Sequence, residues 1–337
     1  MKKIPQLVAL FGASLAVVLG GLSGVASAAN SNSASSSNGA NGYKVSPVRT
    51  DLTVKSGESQ NVTVYVQNIS NAVENLQTII NDFTANANES GQPVLLLNGK
   101  NAPEHGLKQY ATVPNGTFTL QPNEQQAVQV KISIPNNATA GGYYGAVRFA
   151  PSNTSGDKNV NLSASVASLI LVTVPGNLVE KVSLASFQAA QNDHARTFFT
   201  GNKNLSAVAR FQNSGDVQEQ PFGKVQLKKG SKVLATYEIN NTDPRGNVLP
   251  DSIRKFSVGL DKVGSFGKYT IEGNFGYGSD GQLLSGSTSF YVIPGGVILL
   301  VVIVLLLILF LIFVFPRMIR NYNRSVIRRA QRKSRRR

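Results

Sequence analysis

Val62-Thr63-Val64-Tyr65-Val66-Gln67-Asn68 sets an apolar side chain at every second position and then stops on a polar pair. A period of two belongs to a β-strand with one buried face. Val128-Gln129-Val130-Lys131-Ile132-Ser133-Ile134 reads the same way. Further on, Ala209-Arg210-Phe211-Gln212-Asn213 ends on the same Gln-Asn and a turn. Other echoes follow in the same order. Leu120-Gln121-Pro122 is answered by Leu249-Pro250, Gly142-Tyr143-Tyr144 by Gly267-Lys268-Tyr269, and Val172-Thr173-Val174-Pro175-Gly176 by Val292-Ile293-Pro294-Gly295. Matches that keep their order predict two copies of one fold.

Around these stretches the text between Tyr43 and Pro294 is short alternating runs separated by Gly, Pro, Asn and Ser. The fold class this predicts is all-β: two tandem immunoglobulin-like β-sandwich domains, 43–175 and 176–293. Lys224–Leu234 is expected to be a hairpin turning at Lys229-Gly230-Ser231, and Asp280-Gly281 to close another. Glu74–Phe83 is the one weak helical candidate and is taken as a strand. In immunoglobulin-like sandwiches a tyrosine near the start of the sixth strand bonds back to upstream backbone, and Tyr144 and Tyr269 are expected to do so here. With no Cys and no Trp in 337 residues, both cores must rest on Val, Ile, Leu, Phe and Tyr alone.

Val297–Phe315 is an unbroken run of Val, Ile, Leu and Phe. As a helix it spans about 28 Å at ~1.5 Å per residue, matching a hydrocarbon core of roughly 30 Å. The expected transmembrane helix, 294–316, follows. The formal net charge of +15 belongs to the ends of the chain. Setting aside Lys2, Lys3 and the ten Lys and Arg residues after Pro316 leaves 21 cations against 18 acids. A uniformly basic, nucleic-acid-coating protein is excluded. Arg317, Arg320, Arg324, Arg328 and Arg329 are read as topology determinants that hold a cytoplasmic tail, 317–337, against anionic membrane lipids. Residues 1–28 read as a signal peptide ending at Ala26-Ser27-Ala28, and 29–42 as a flexible Ser/Asn-rich spacer.

Chemistry is sparse. The two histidines, His105 and His194, sit beside Glu104 and Asp193 and are read as solvated loop residues. The absence of Cys removes thiol catalysis and thiolate metal sites. No cofactor, metal or catalytic residue is expected, although a hydrolytic pair of acids far apart in sequence would show only in a structure. Asn61, Asn68, Asn88, Asn115, Asn137, Asn153, Asn161, Asn204 and Asn240 lie in Asn-x-Ser/Thr triplets, which this Asn-rich composition produces by chance. Gly141, Gly142, Tyr143, Tyr144 and Gly145 form the candidate contact segment, since glycine with an aromatic permits close approach. A core hairpin is the other role open to it.

Tyr43-Lys44-Val45-Ser46-Pro47-Val48, the Gly57 turn, the strand into Gln67-Asn68, Ile134-Pro135 and Ala140–Val147 together resemble the WxL-interacting protein family of bacterial cell-surface proteins. Signal, two β domains, membrane span and basic tail are similar too. The resemblance implies a first domain that binds peptidoglycan, a Gram-positive-type envelope and no catalytic residues. Partners expected on this reading are cell-wall peptidoglycan or surface proteins, with no nucleic acid. The alternative is an assembly or sensing component whose tail meets a cytoplasmic partner.

Overall fold

The computed structural model describes residues 42–97, 104–114, 116–152 and 165–334. The expected signal peptide, all but the last residue of the spacer, and Asn115, Asn153 and Asn161 lie outside the described residues. The first sandwich holds β1 (Tyr43–Ser46), β2 (Arg49–Thr53), β3 (Ser59–Asn68), β4 (Glu74–Ala85), β5 (Pro93–Leu95), β6 (Ala111–Thr112), β7 (Thr117–Leu120), β8 (Gln125–Ser133), β9 (Gly141–Pro151) and β10 (Val166–Val174). The second holds β11 (Val182–Gln191), β12 (His194–Ala195), β13 (Phe198–Phe199), β14 (Leu205–Asn213), β15 (Phe222–Lys229), β16 (Lys232–Ile239), β17 (Ser252–Gly259), β18 (Gly267–Tyr277) and β19 (Gln282–Val292).

Strand order makes the two copies explicit. One sheet of the first sandwich runs β1-β3-β8-β6 and the other β2-β10-β9-β4-β5, with β7 on β4. The second sandwich runs β12-β11-β14-β17 and β13-β19-β18-β15-β16. In each, an edge strand lies parallel to the last strand, β2 on β10 and β13 on β19. The cores are aliphatic and aromatic as the composition requires: Val64, Val130, Ile132, Phe149 and Ile170 in the first, Phe211, Leu227, Ile271, Phe275 and Phe290 in the second. The expected hairpins form, with Gly230 and Gly281 at positive φ in their turns.

The repeated Gln-Asn owes its place to the asparagine. Asn68 is fully buried and donates to the carbonyls of Ala72, Leu120 and Gln121, while accepting from the Ser70 N–H. Asn213, equally buried, donates to the carbonyls of Val217 and Val248 and accepts from Gly215 N–H. Each side chain folds its own turn and ties it to the segment leading into the next strand of the same sheet. Burial of Asn68 also removes it from the possible glycosylation acceptors.

The corner tyrosines need a correction by one residue. Gly141 pairs with Val174 as Gly267 pairs with Val292, so the counterpart of Tyr269 is Tyr143. Tyr143 Oη donates to the Thr139 carbonyl at 2.8 Å and Tyr269 Oη to that of Phe266 at 3.3 Å. Tyr144 faces the other side of its sheet, because a shift of one residue along a strand reverses the face.

After Pro294 a helix runs Gly295–Leu309, passes through a π turn at Phe310–Val314 and continues as Phe315–Ser334. It is long and apolar enough to cross a membrane, and its apolar stretch is buried against nothing in the chain. Arg317, Arg320, Arg324, Arg328 and Arg329 all fall on its last segment.

Candidate functional site

The outer face of the β2-β10-β9-β4-β5 sheet is apolar where a solvent-facing sheet would be polar. Phe83, Tyr144, Ala146 and Leu171 are buried there, and Leu249 from the second sandwich packs on them with Leu95, Ala167 and Leu169. Strand β9 is therefore covered on both faces. Gly141, Gly142, Tyr143, Tyr144 and Gly145 are all buried. Of this segment only Tyr144 lines a cleft, so the contact surface expected from Gly141–Gly145 becomes a sandwich junction. Glycine is required at 142, where a Cβ would stand 1.9 Å from Tyr144 Oη.

Polar contacts complete the seam. Tyr144 Oη donates to Gln218 Oε1 at 2.9 Å, Gln218 Nε2 to Thr173 Oγ1 at 3.3 Å, and Gly142 N–H to the Asp216 carbonyl at 2.8 Å. Burial pushes the Tyr144 phenol far above its usual range, which keeps it a hydrogen donor. The loop between β4 and β5 forms a second latch. Glu89, at φ 61°, accepts two hydrogen bonds from Arg210 and offers its carbonyl to Lys255 N–H at 2.8 Å. The Arg210 hydrogen bonds hold the Glu89 carboxyl below the usual carboxylate range against a smaller opposing effect of burial.

Between these two latches lies a cleft of about 480 Å³ lined by Phe83–Ala87, Glu89, Glu104, His105, Tyr144 and Leu249–Ile253. His105 is half-buried rather than solvated. Its carbonyl accepts from Tyr144 N–H at 2.8 Å, where Gly106 bridges to β9, and its ring lies 6.2 Å from that of Tyr144. His194 is exposed on β12, a short strand rather than a loop. The cleft thus offers two aromatic rings, an imidazole, and the carboxylates of Glu104 and Asp251. Among the described residues, no group of three or more His, Asp or Glu side chains could hold a metal ion.

Another groove, about 390 Å³, opens beside Asp51 and Thr173 and is lined by Glu180, Glu219, Gln220, Arg245 and Gly278. Here two acids meet. Glu219 Oε2 accepts from Gly278 N–H at 3.1 Å, and Glu180 Oε2 from Ser279 N–H at 2.7 Å. Both carboxylates are committed to one turn, which is a structural use rather than the open pair a hydrolase needs. Burial first, then the charge of Glu180, push Glu219 up to about 7, against the Gly278 hydrogen bond. A carboxyl raised on folding contributes stability that is complete below about 4.5 and lost as the pH rises towards 7. Glu219→Gln keeps the acceptor and removes the titration. The variant should match the parent near pH 5, melt above it at pH 8 and flatten the melting temperature between them; parallel curves for the two proteins would refute this.

Sequence reasoning named Tyr144 within its candidate segment and missed Glu89 and Arg210, since nothing local links residues 121 positions apart. The available signal was the run Gly141–Val147, which has no charged residue to mark a solvent face.

A family model described as "WxL Interacting Protein, peptidoglycan binding domain" matches residues 50–151. No curated protein sequence matches the chain. Among solved structures, the class 5 fimbriae chaperone CfaA is 12% identical over 75% of this chain and 100% of that chain, with a TM-score of 0.35. The E. coli chaperone DraB is 14% identical over 74% of this chain and 96% of that chain, with a TM-score of 0.34. The Pseudomonas aeruginosa CupB2 chaperone is 12% identical over 73% and 100%, with a TM-score of 0.33. The family match bears out, over residues 50–151 of the first sandwich, the resemblance carried by Gly57, Gln67-Asn68 and Ala140–Val147 to the WxL-interacting protein family.

Proposed function

We propose that this chain is a non-enzymatic, membrane-anchored cell-surface protein that holds cell-wall peptidoglycan through its first sandwich, at the junction cleft. The observation that carries this reading is the family match. It covers residues 50–151, and the first-sandwich wall of the cleft, Phe83–Ala87 with Glu89, Glu104, His105 and Tyr144, falls inside that range. The chemistry agrees with it. Peptidoglycan presents sugar hydroxyls and amides, which aromatic faces and scattered polar groups take up, and peptide amines, which Glu104 and Asp251 suit.

The helix from Gly295 anchors the protein, and the arginines from Arg317 onward keep the C-terminus in the cytoplasm. The sandwiches then stand outside, in a Gram-positive-type wall. With the cations gathered at the ends, recognition rests on shape and hydrogen bonding more than on bulk charge.

The test is sedimentation of the detergent-solubilised full chain with insoluble, protein-free peptidoglycan. Most of the protein should pellet with the wall, and a Glu104→Gln/Asp251→Asn double variant should pellet less. No pelleting above that of an unrelated membrane-anchored sandwich would refute wall binding.

A further inference from the structure

Beside the main cleft, and sharing Phe83, Leu249 and Ile253 with it, lies a pocket of about 80 Å³ whose walls are mostly apolar. Two guanidinium groups reach it from different sandwiches. Arg49, on β2, holds Asp51 through Nε at 2.8 Å and the Arg245 carbonyl through Nη1 at 2.8 Å. Arg254, on β17, crosses the junction and lies flat against Gly91 of the first sandwich. A Cβ on Gly91 would stand 2.0 Å from Arg254 Nε, and one on Gly246 would stand 2.7 Å from Nη2. The chain keeps glycine at both places, which makes room for this side chain.

Arg254 Nη1 donates to the Asn247 carbonyl at 2.7 Å, and the guanidinium rests 4.8 Å from the Phe256 ring. Its Nε is buried with no hydrogen-bond partner. Among the described residues Arg254 forms no ion pair. Burial lowers its pKa, and the like charge of Arg49 lowers it further. Asn247, 8% exposed, accepts from Gln220 Nε2 at 2.8 Å, while its own Nδ2 has no partner. A half-buried cation facing a second cation, next to unused buried donors, is an unfavourable arrangement that an anion would relieve. Phe256 meets the guanidinium as a cation–π partner and supplies no counter-charge.

We propose that this pocket binds a carboxylate flanked by a small apolar group, the chemistry of a peptide ending in alanine, with Arg254, Arg49 and Asn247 as the binding residues. Size decides against a sugar: about 80 Å³ admits a carboxylate and a methyl, while the apolar walls of Phe83, Leu169, Leu171 and Leu249 suit the methyl. The inference rests on the wall-binding reading and deepens it, because stem peptides of peptidoglycan end in such groups and the larger cleft would take the rest of the polymer.

Calorimetric titration of the detergent-solubilised full chain tests this with three probes: N-acetyl-Ala-Ala, its C-terminal amide, and inorganic phosphate. The free acid should bind at least tenfold more tightly than the amide, since charge-assisted hydrogen bonds to a carboxylate are lost with its charge. Arg254→Gln should abolish that preference, and Arg49→Gln, read alongside, keeps the test valid should the first variant melt early. A purely structural Arg254 would lower the melting temperature and leave the preference intact. Equal binding of acid and amide, or tighter binding of phosphate than of the acid, would overturn the proposal. Wall pelleting without a carboxylate preference would sink this inference and leave the wall-binding reading standing; a carboxylate preference without pelleting would do the reverse.

Discussion

Asn213→Ala should lower the stability of the second sandwich by about 3 kcal/mol, and Asn68→Ala should do the same to the first. The magnitude follows from what each side chain holds. Asn213 makes hydrogen bonds of 2.7, 2.9 and 2.9 Å at a site with no solvent exposure. A neutral hydrogen bond is worth about 1 kcal/mol net, and a buried group left unpaired costs about 1–3 kcal/mol. The alanine variant loses three bonds at once. It also strands the Val217 carbonyl and the Gly215 N–H at a buried site, whereas the Val248 carbonyl keeps the Glu219 N–H at 3.0 Å. Denaturant unfolding of the full chain, followed for the transition of each sandwich, is the measurement. Asn213→Asp, which keeps the acceptor for Gly215 and loses both donors, should recover only part of the loss. Gln212→Ala, one residue earlier and exposed, should change the midpoint little. An Asn213→Ala midpoint matching that of Gln212→Ala would refute the account.

These asparagines also show what was legible. The Gln-Asn echo announced a repeat, and the repeat proved to be a shared strand order: β1-β3-β8 answers β11-β14-β17 on one sheet, and β2-β10-β9-β4-β5 answers β13-β19-β18-β15-β16 on the other. Periodicity carried that far because Val62–Val66 and Val128–Ile134 each have one wet face. Strand β9 has none, so its alternation is silent, and Tyr143 could not be told from Tyr144. The register against β10 decides between them.

The junction was illegible for a different reason. Glu89, Gly91, Arg210 and Arg254 are ordinary residues until the sandwiches meet. Gly91 then reads as space for Arg254, and Glu89 as the partner of Arg210. Sequence carries a residue's type and its neighbours. It does not carry which arginine and which acid the fold will bring together.

Deleting Val297–Phe315 should move the protein from a salt-resistant membrane fraction to one that salt releases. On the insertion scale each Val, Ile, Leu or Phe favours the bilayer by about 0.3–0.6 kcal/mol, so the run contributes roughly 6–11 kcal/mol, a partition factor of about 10⁴ to 10⁸. None of that apolar surface is used for packing within the chain, so its removal leaves both cores as they are. The basic tail survives the deletion, and each Arg or Lys at an anionic surface adds about 1 kcal/mol at low salt. That attraction is screened within about 3 Å at 1 M salt, whereas burial of an apolar helix is strengthened by salt if anything. The intact chain should therefore stay with membranes through a 1 M salt wash. The deletion variant should leave them in the same wash, and a variant lacking 317–337 instead should remain. Retention of the deletion variant at high salt would show that the sandwiches themselves hold the surface, and would transfer the anchoring from the helix to the junction and the wall.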